Sequence, residues 1–84
     1  MKQLHEENER RANWATDALA TFCADGFCGR SVEATIADEG ATPIYDLISN
    51  LLHVAVRHEL DPEDIMRRAQ EQFDHENAPD YCGA

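Results

Sequence analysis

DLISNLLHVAVRHELDPEDIMRRAQEQF, residues 46–73, carries the clearest pattern in the chain: two amphipathic helices joined by a three-residue corner. In the first of them, predicted over residues 43–58, Ile44, Leu47, Ile48, Leu51, Leu52 and Ala55 recur at helical spacing and make a stripe wide enough to bury. Val54 and Val56 carry apolar character around most of the remaining circumference. A helix of that kind needs more than one packing neighbour, and a short chain supplies only some of them. The stripe is therefore expected to be the interface of a homodimer.

The punctuation on either side is equally definite. Thr42-Pro43 reads as a capping hydroxyl followed by proline at the first helical position. Asp61-Pro62-Glu63-Asp64 repeats the signal, with Asp61 as the cap and two acids at the positive end of the helix dipole. Ile65, Met66, Ala69 and Phe73 are expected to form the buried face of this second helix, residues 62–76, and Leu60 to staple onto its first turn. Residues 77–84 lose periodicity and read as a tail.

Upstream, Leu4, Ala12, Ala15, Ala18, Leu19 and Phe22 keep a helical period and predict a helix over residues 4–23. Its first two turns are almost wholly polar, so they are expected to project or fray, with packing starting around Arg11 to Trp14. Gly26 is expected to be the left-handed cap and Gly29 a second hinge. Val32 and Ile36, four apart behind Ser31, favour a short helix over residues 31–38 rather than a strand. The fold expected is all-α: a small helical bundle of three main helices and one short one, with a C-terminal helical hairpin, in a single domain.

With 84 residues the chain can bury only about 60–65% of its unfolded surface, which leaves a small core and invites help from a partner. Hydrophobic residues make up 43% and charged residues 29%, too apolar a mixture for a disordered chain. The 17 acids against 7 bases give a formal net charge of −10. Such a chain has no basic face with which to hold a phosphate backbone, so direct nucleic-acid binding is not expected. The first residues, MKQLHEENERR, contain no apolar run, and no stretch is long enough to span a bilayer, so the expected address is cytoplasmic, with no membrane partner. Three cysteines, Cys23, Cys28 and Cys82, fit reduced thiols better than a disulfide framework.

Few residues group in ways that suggest chemistry. Asp46, Asn50, His53 and Arg57 fall at i, i+4, i+7 and i+11, and line one polar stripe of the central helix. That stripe is a candidate binding groove, a polar seam across a dimer, or a solvated face, with His53 able to titrate or ligate near neutral pH. Cys23 and Cys28 have a zinc-compatible spacing but would need two more ligands, from Cys82 and a histidine. Glu71 and His75 could join His53 at a metal, yet the repeated Glu-x-x-His of carboxylate-bridged bundles is missing. There is no phosphate loop, no nucleophile elbow and no nucleophile with an identifiable base. Neither a catalytic residue nor a cofactor is assigned.

Asp46-Leu47-x-x-Asn50-Leu51-Leu52-His53, Leu60-Asp61, Arg68-Ala69 and Phe73-x-x-Glu76 together resemble a loose group of short, acidic, helical proteins encoded by bacteriophages and other bacterial mobile elements. The likeness covers roughly residues 44 to 76. Others in the group often carry an acid where this chain has Asn50, which argues against a metal site built on that position. The resemblance implies a helical fold and a bacterial cytoplasmic setting, and assigns no residue a role. The expected function is a non-enzymatic protein-interaction module, a mobile-element accessory that binds a host or phage protein. Its sharper form is an anti-defence inhibitor whose acidic surface mimics nucleic acid. The alternatives are a small metal-binding protein or metal-dependent enzyme, and a structural homo-oligomeric subunit.

Overall fold

Ser31 and Gly40 bracket the shortest helix, and their backbone chemistry sets where the rest of the chain can pack. Ser31 Oγ accepts from Ala34 N at 3.1 Å, satisfying one of the amides that a helix start leaves unpaired. Gly40 ends the helix with its N–H on Ile36 O at 2.8 Å, at φ 63° and ψ −129°, a backbone region that is essentially glycine's alone. The computed structural model describes residues 6–27 and 29–78. Within them lie four helices and no strand: α1 (Glu6–Gly26), α2 (Val32–Glu39), α3 (Thr42–Arg57) and α4 (Pro62–Glu76). The protein is all-α.

Helix α1 runs on to Gly26, beyond the cysteine where the sequence suggests it ends, and Phe27 N still reaches Cys23 O at 2.8 Å. The extra turn brings Phe27 edge-on to Phe22, ring centroids 6.0 Å apart, against the buried cluster of Leu19, Cys23 and Val32. Gly26 therefore stays helical, and Gly29, at φ 74°, takes the left-handed position instead. Arg30 closes this loop by donating to Asp38 at 2.8 Å and Glu39 at 3.3 Å, neutralising two acids at the end of α2 where the helix dipole disfavours them.

Thr42 is not the cap of α3. Ile44 N and Tyr45 N both reach Ala41 O, at 2.9 and 3.1 Å, so the helical turn begins at Ala41 and the Thr42 hydroxyl lies beside Tyr45 OH at 3.3 Å. Pro43, with no N–H to satisfy, is buried in this first turn. At the other end α3 closes in a Schellman motif: Leu60 N bonds Ala55 O at 2.9 Å and Glu59 N bonds Val56 O at 3.0 Å. The left-handed residue of that motif is Glu59, at φ 61°, where glycine would be usual. Asp61 Oδ1 then accepts from Glu63 N at 3.0 Å and starts α4.

The polar beginning of α1 does not stand free. Asn8 Nδ2 donates to Glu76 O at 3.0 Å and Arg11 Nε pairs with the Glu76 carboxylate at 3.1 Å, clasping the first turns of α1 to the last turn of α4. Arg11 is half-buried in this clasp, and the first fully buried residue of α1 is Leu19. The residues buried among those described are Leu19, Cys23, Val32, Thr35, Pro43 and Ala55. Ile65, Met66, Ala69 and Phe73 do not bury the face of α4 as expected, since that helix has no buried residue at all. The result is a plate of 41 × 37 × 17 Å with a radius of gyration of 14.4 Å, against about 12 Å for a compact chain of this length. Leu4, Cys28, Cys82 and residues 79–84 of the expected tail lie outside the described residues.

Candidate functional site

The polar stripe of α3 stays a row of separate side chains. Asp46 is half-buried, while Asn50, His53 and Arg57 are exposed, and no side-chain hydrogen bond or ion pair links any of the four to another described residue. Glu71 is held on its own helix by Arg67 at 3.1 Å. Among the described residues no three His, Cys, Asp or Glu side chains converge in a way that could hold a metal ion. Cys23 is a free thiol with no exposed surface, and Cys28 and Cys82 lie outside the described residues. No buried side-chain nitrogen or oxygen among the described residues lacks a partner; the fully buried Thr35, for example, donates its hydroxyl to Ser31 O at 2.7 Å. The interior therefore holds no orphaned polar group waiting for a ligand.

The apolar stripe behaves differently. Ala55 is 5% exposed and lies beneath the surface, Leu47 and Leu52 are half-buried, and Ile44, Ile48 and Leu51 are exposed, Leu51 by 57%. Two open grooves flank these residues. One, of about 420 Å³, runs between α1, α2 and α3 and is lined by Ala12, Ala15, Leu19, Val32, Ile36 and Leu47 among others. The other, of about 280 Å³, lies between α3 and α4 over Leu52, Ile65, Met66, Ala69 and Phe73. Ile48 and Leu51 line both, so they form a ridge between two troughs. No charged residue lines either groove, and their only polar members are Thr16 and Gln70.

Two grooves lined from all four helices without a charged residue, on a chain of net charge −10, are an uneven distribution, and their energetic weight is large. Ile36, Ile44, Ile48, Leu51, Met66 and Phe73 are each between 37% and 59% exposed. At ~1.5–3 kcal/mol per fully buried side chain, their uncovered portions amount to about 4–8 kcal/mol of hydrophobic transfer that this chain leaves unused. That is comparable with the whole net stability of a small domain, about 5–15 kcal/mol. Exposed apolar surface on this scale makes the face the candidate site of this chain.

Sequence reasoning reached the α3 part of this face and missed its flanks. The stripe of Met66, Ala69 and Phe73 was visible, but periodicity reports only that a helix has an apolar side, not whether that side finds cover. Ala12 and Ala15 gave a weaker signal, being small residues that read as helix formers before they read as a groove wall. Compared with known protein families, characterised proteins and solved structures, this chain matches none.

Proposed function

We propose that this protein is a non-enzymatic interaction module: a small helical bundle in which the α3–α4 hairpin and α1 present an apolar docking face. The observation that supports the reading is the Ile48–Leu51 ridge with its two grooves, whose lining holds exposed large apolar side chains and no charged residue. The polar residues Asp46, Asn50, His53 and Arg57 form the solvated side of α3 and keep the folded chain soluble. A mobile-element setting, with a host or phage protein as partner in the bacterial cytoplasm, rests on the resemblance over residues 44–76.

The net charge of −10 favours a second reading, an acidic surface that occupies the nucleic-acid site of a host protein. Salt separates the two. The full chain is immobilised, exposed to bacterial lysate and eluted by increasing ionic strength, beside Leu51→Asp. A docking face of this composition keeps its partner up to ~1 M salt, where the Debye length is only about 3 Å, and loses it in the variant. Release at moderate salt with undiminished capture by Leu51→Asp overturns the apolar face and leaves the electrostatic mimic.

A further inference from the structure

Building on that docking-face reading, we propose that the face is covered by a second copy of this chain, paired two-fold so that the Ile48–Leu51 ridge of each α3 seats in a groove of the other. Charge is the first argument. Two chains of net charge −10 repel one another, and a lining that holds no charged residue is a surface on which they can meet without opposing carboxylates. A basic partner, which the net charge would attract, gains nothing from docking on that uncharged lining.

Shape and extent agree with this. A ridge between two troughs is complementary to its own two-fold image, which is the requirement of an isologous interface. The grooves are lined by sixteen different residues. A standard interface uses about 20–30 residues a side, so this lining plus its rim supplies a complete one. The lining draws on all four helices of a plate 17 Å thick; two such plates stacked on it make a body about 34 Å deep and 41 × 37 Å across. Pairing turns a flattened chain into a near-isometric particle with a second layer over the exposed Leu51 and Phe73.

Analytical ultracentrifugation of the full chain from low micromolar to several hundred micromolar, at low and high salt, tests the proposal. The expected result is a dimer that tightens as salt screens the repulsion between like-charged chains, the opposite of what a basic partner would show. Leu51→Asp and Phe73→Glu, both at exposed positions of the folded chain, each weaken the dimer at least tenfold. Isotope-filtered NOEs on a mixed labelled and unlabelled sample then connect Ile48 and Leu51 methyls to the other copy, a readout that needs no variant to fold. A wild-type chain that stays monomeric at the highest concentration overturns the second copy. If that monomer still captures another protein through Leu51, the docking face survives with a different occupant; if it does not, both readings fall. A dimer indifferent to both substitutions, or one that loosens with salt, also overturns the proposal.

Discussion

The corner where α1, α2 and the start of α3 meet and the open face of α3 and α4 are built from the same kinds of residue with opposite outcomes. In the corner, Leu19, Cys23 and Val32 close on one another with Phe22, Phe27 and Leu47 around them, and the loop is tied by Arg30 to Asp38 and Glu39. On the open face, Leu51 and Phe73 are more than half exposed, although α3 and α4 are the two most strongly amphipathic helices of the chain. Amphipathicity measures what a helix can bury. Whether it buries it depends on a third surface, and here α2 supplies one to the corner while nothing within the described residues supplies one to α4.

A matched pair of truncations tests the contrast most directly. Leu19→Ala should lower unfolding free energy by about 2–5 kcal/mol, the usual range for a buried leucine, whereas Leu51→Ala should cost less than about 1 kcal/mol in dilute, monomeric protein. Urea denaturation at sub-micromolar and at high protein concentration measures both. Equal costs at low concentration would show that the two regions are not different in kind.

Gly40→Ala comes next, at about 1–3 kcal/mol. A Cβ at that position meets no neighbouring atom, so the whole penalty is backbone strain at φ 63° and ψ −129°. A thermal shift too small to register would mean that the α2–α3 junction relaxes freely and the corner is less rigid than its hydrogen bonds imply.

Glu59→Gly runs the other way. Glycine adopts the left-handed Schellman position without the clash that Glu59 tolerates at φ 61°, so the substitution should stabilise the α3–α4 junction by up to about 1 kcal/mol. A fall in stability would show that the carboxylate has a role beyond the turn.

The smallest effect expected is one of pH. The Asp64 carboxyl is held below its usual range chiefly by its hydrogen bond from Arg67, with further attraction from Arg68 at 2.9 Å. A depressed carboxyl contributes its stability in full above its unfolded value and loses it as pH falls through the folded one. The pair is exposed, so solvent screens it. The helical signal of α4 should therefore weaken slightly on acidification through the carboxylate range, and Asp64→Asn should flatten that part of the titration. An unchanged profile in the variant would place the acid sensitivity elsewhere.

Much of the helical organisation was legible because it is local. Ser31 and Asp61 act through amides two or three residues away, so each could be read without knowing where the rest of the chain lies. The local signals that misled did so where packing intervened. Gly26 looked like a helix end, but Phe27 gains by continuing onto Phe22, and Thr42 looked like a cap, but the turn had already started at Ala41. The polar turns at the start of α1 looked unattached because their partner, Glu76, lies 65 residues beyond Arg11.

An all-helical chain, the start of α4, a strongly acidic charge balance and the apolar side of α3 all follow from propensity, capping, composition and periodicity, which need no knowledge of distant contacts. That α2 covers the end of α1 while α4 is left with no buried residue comes from how the helices pack. The same structure divided one continuous α3 stripe into buried Ala55, half-buried Leu47 and Leu52, and the exposed Ile48–Leu51 ridge. Burial is set by where distant segments come to lie, and the spacing of residues along a single helix carries no record of it.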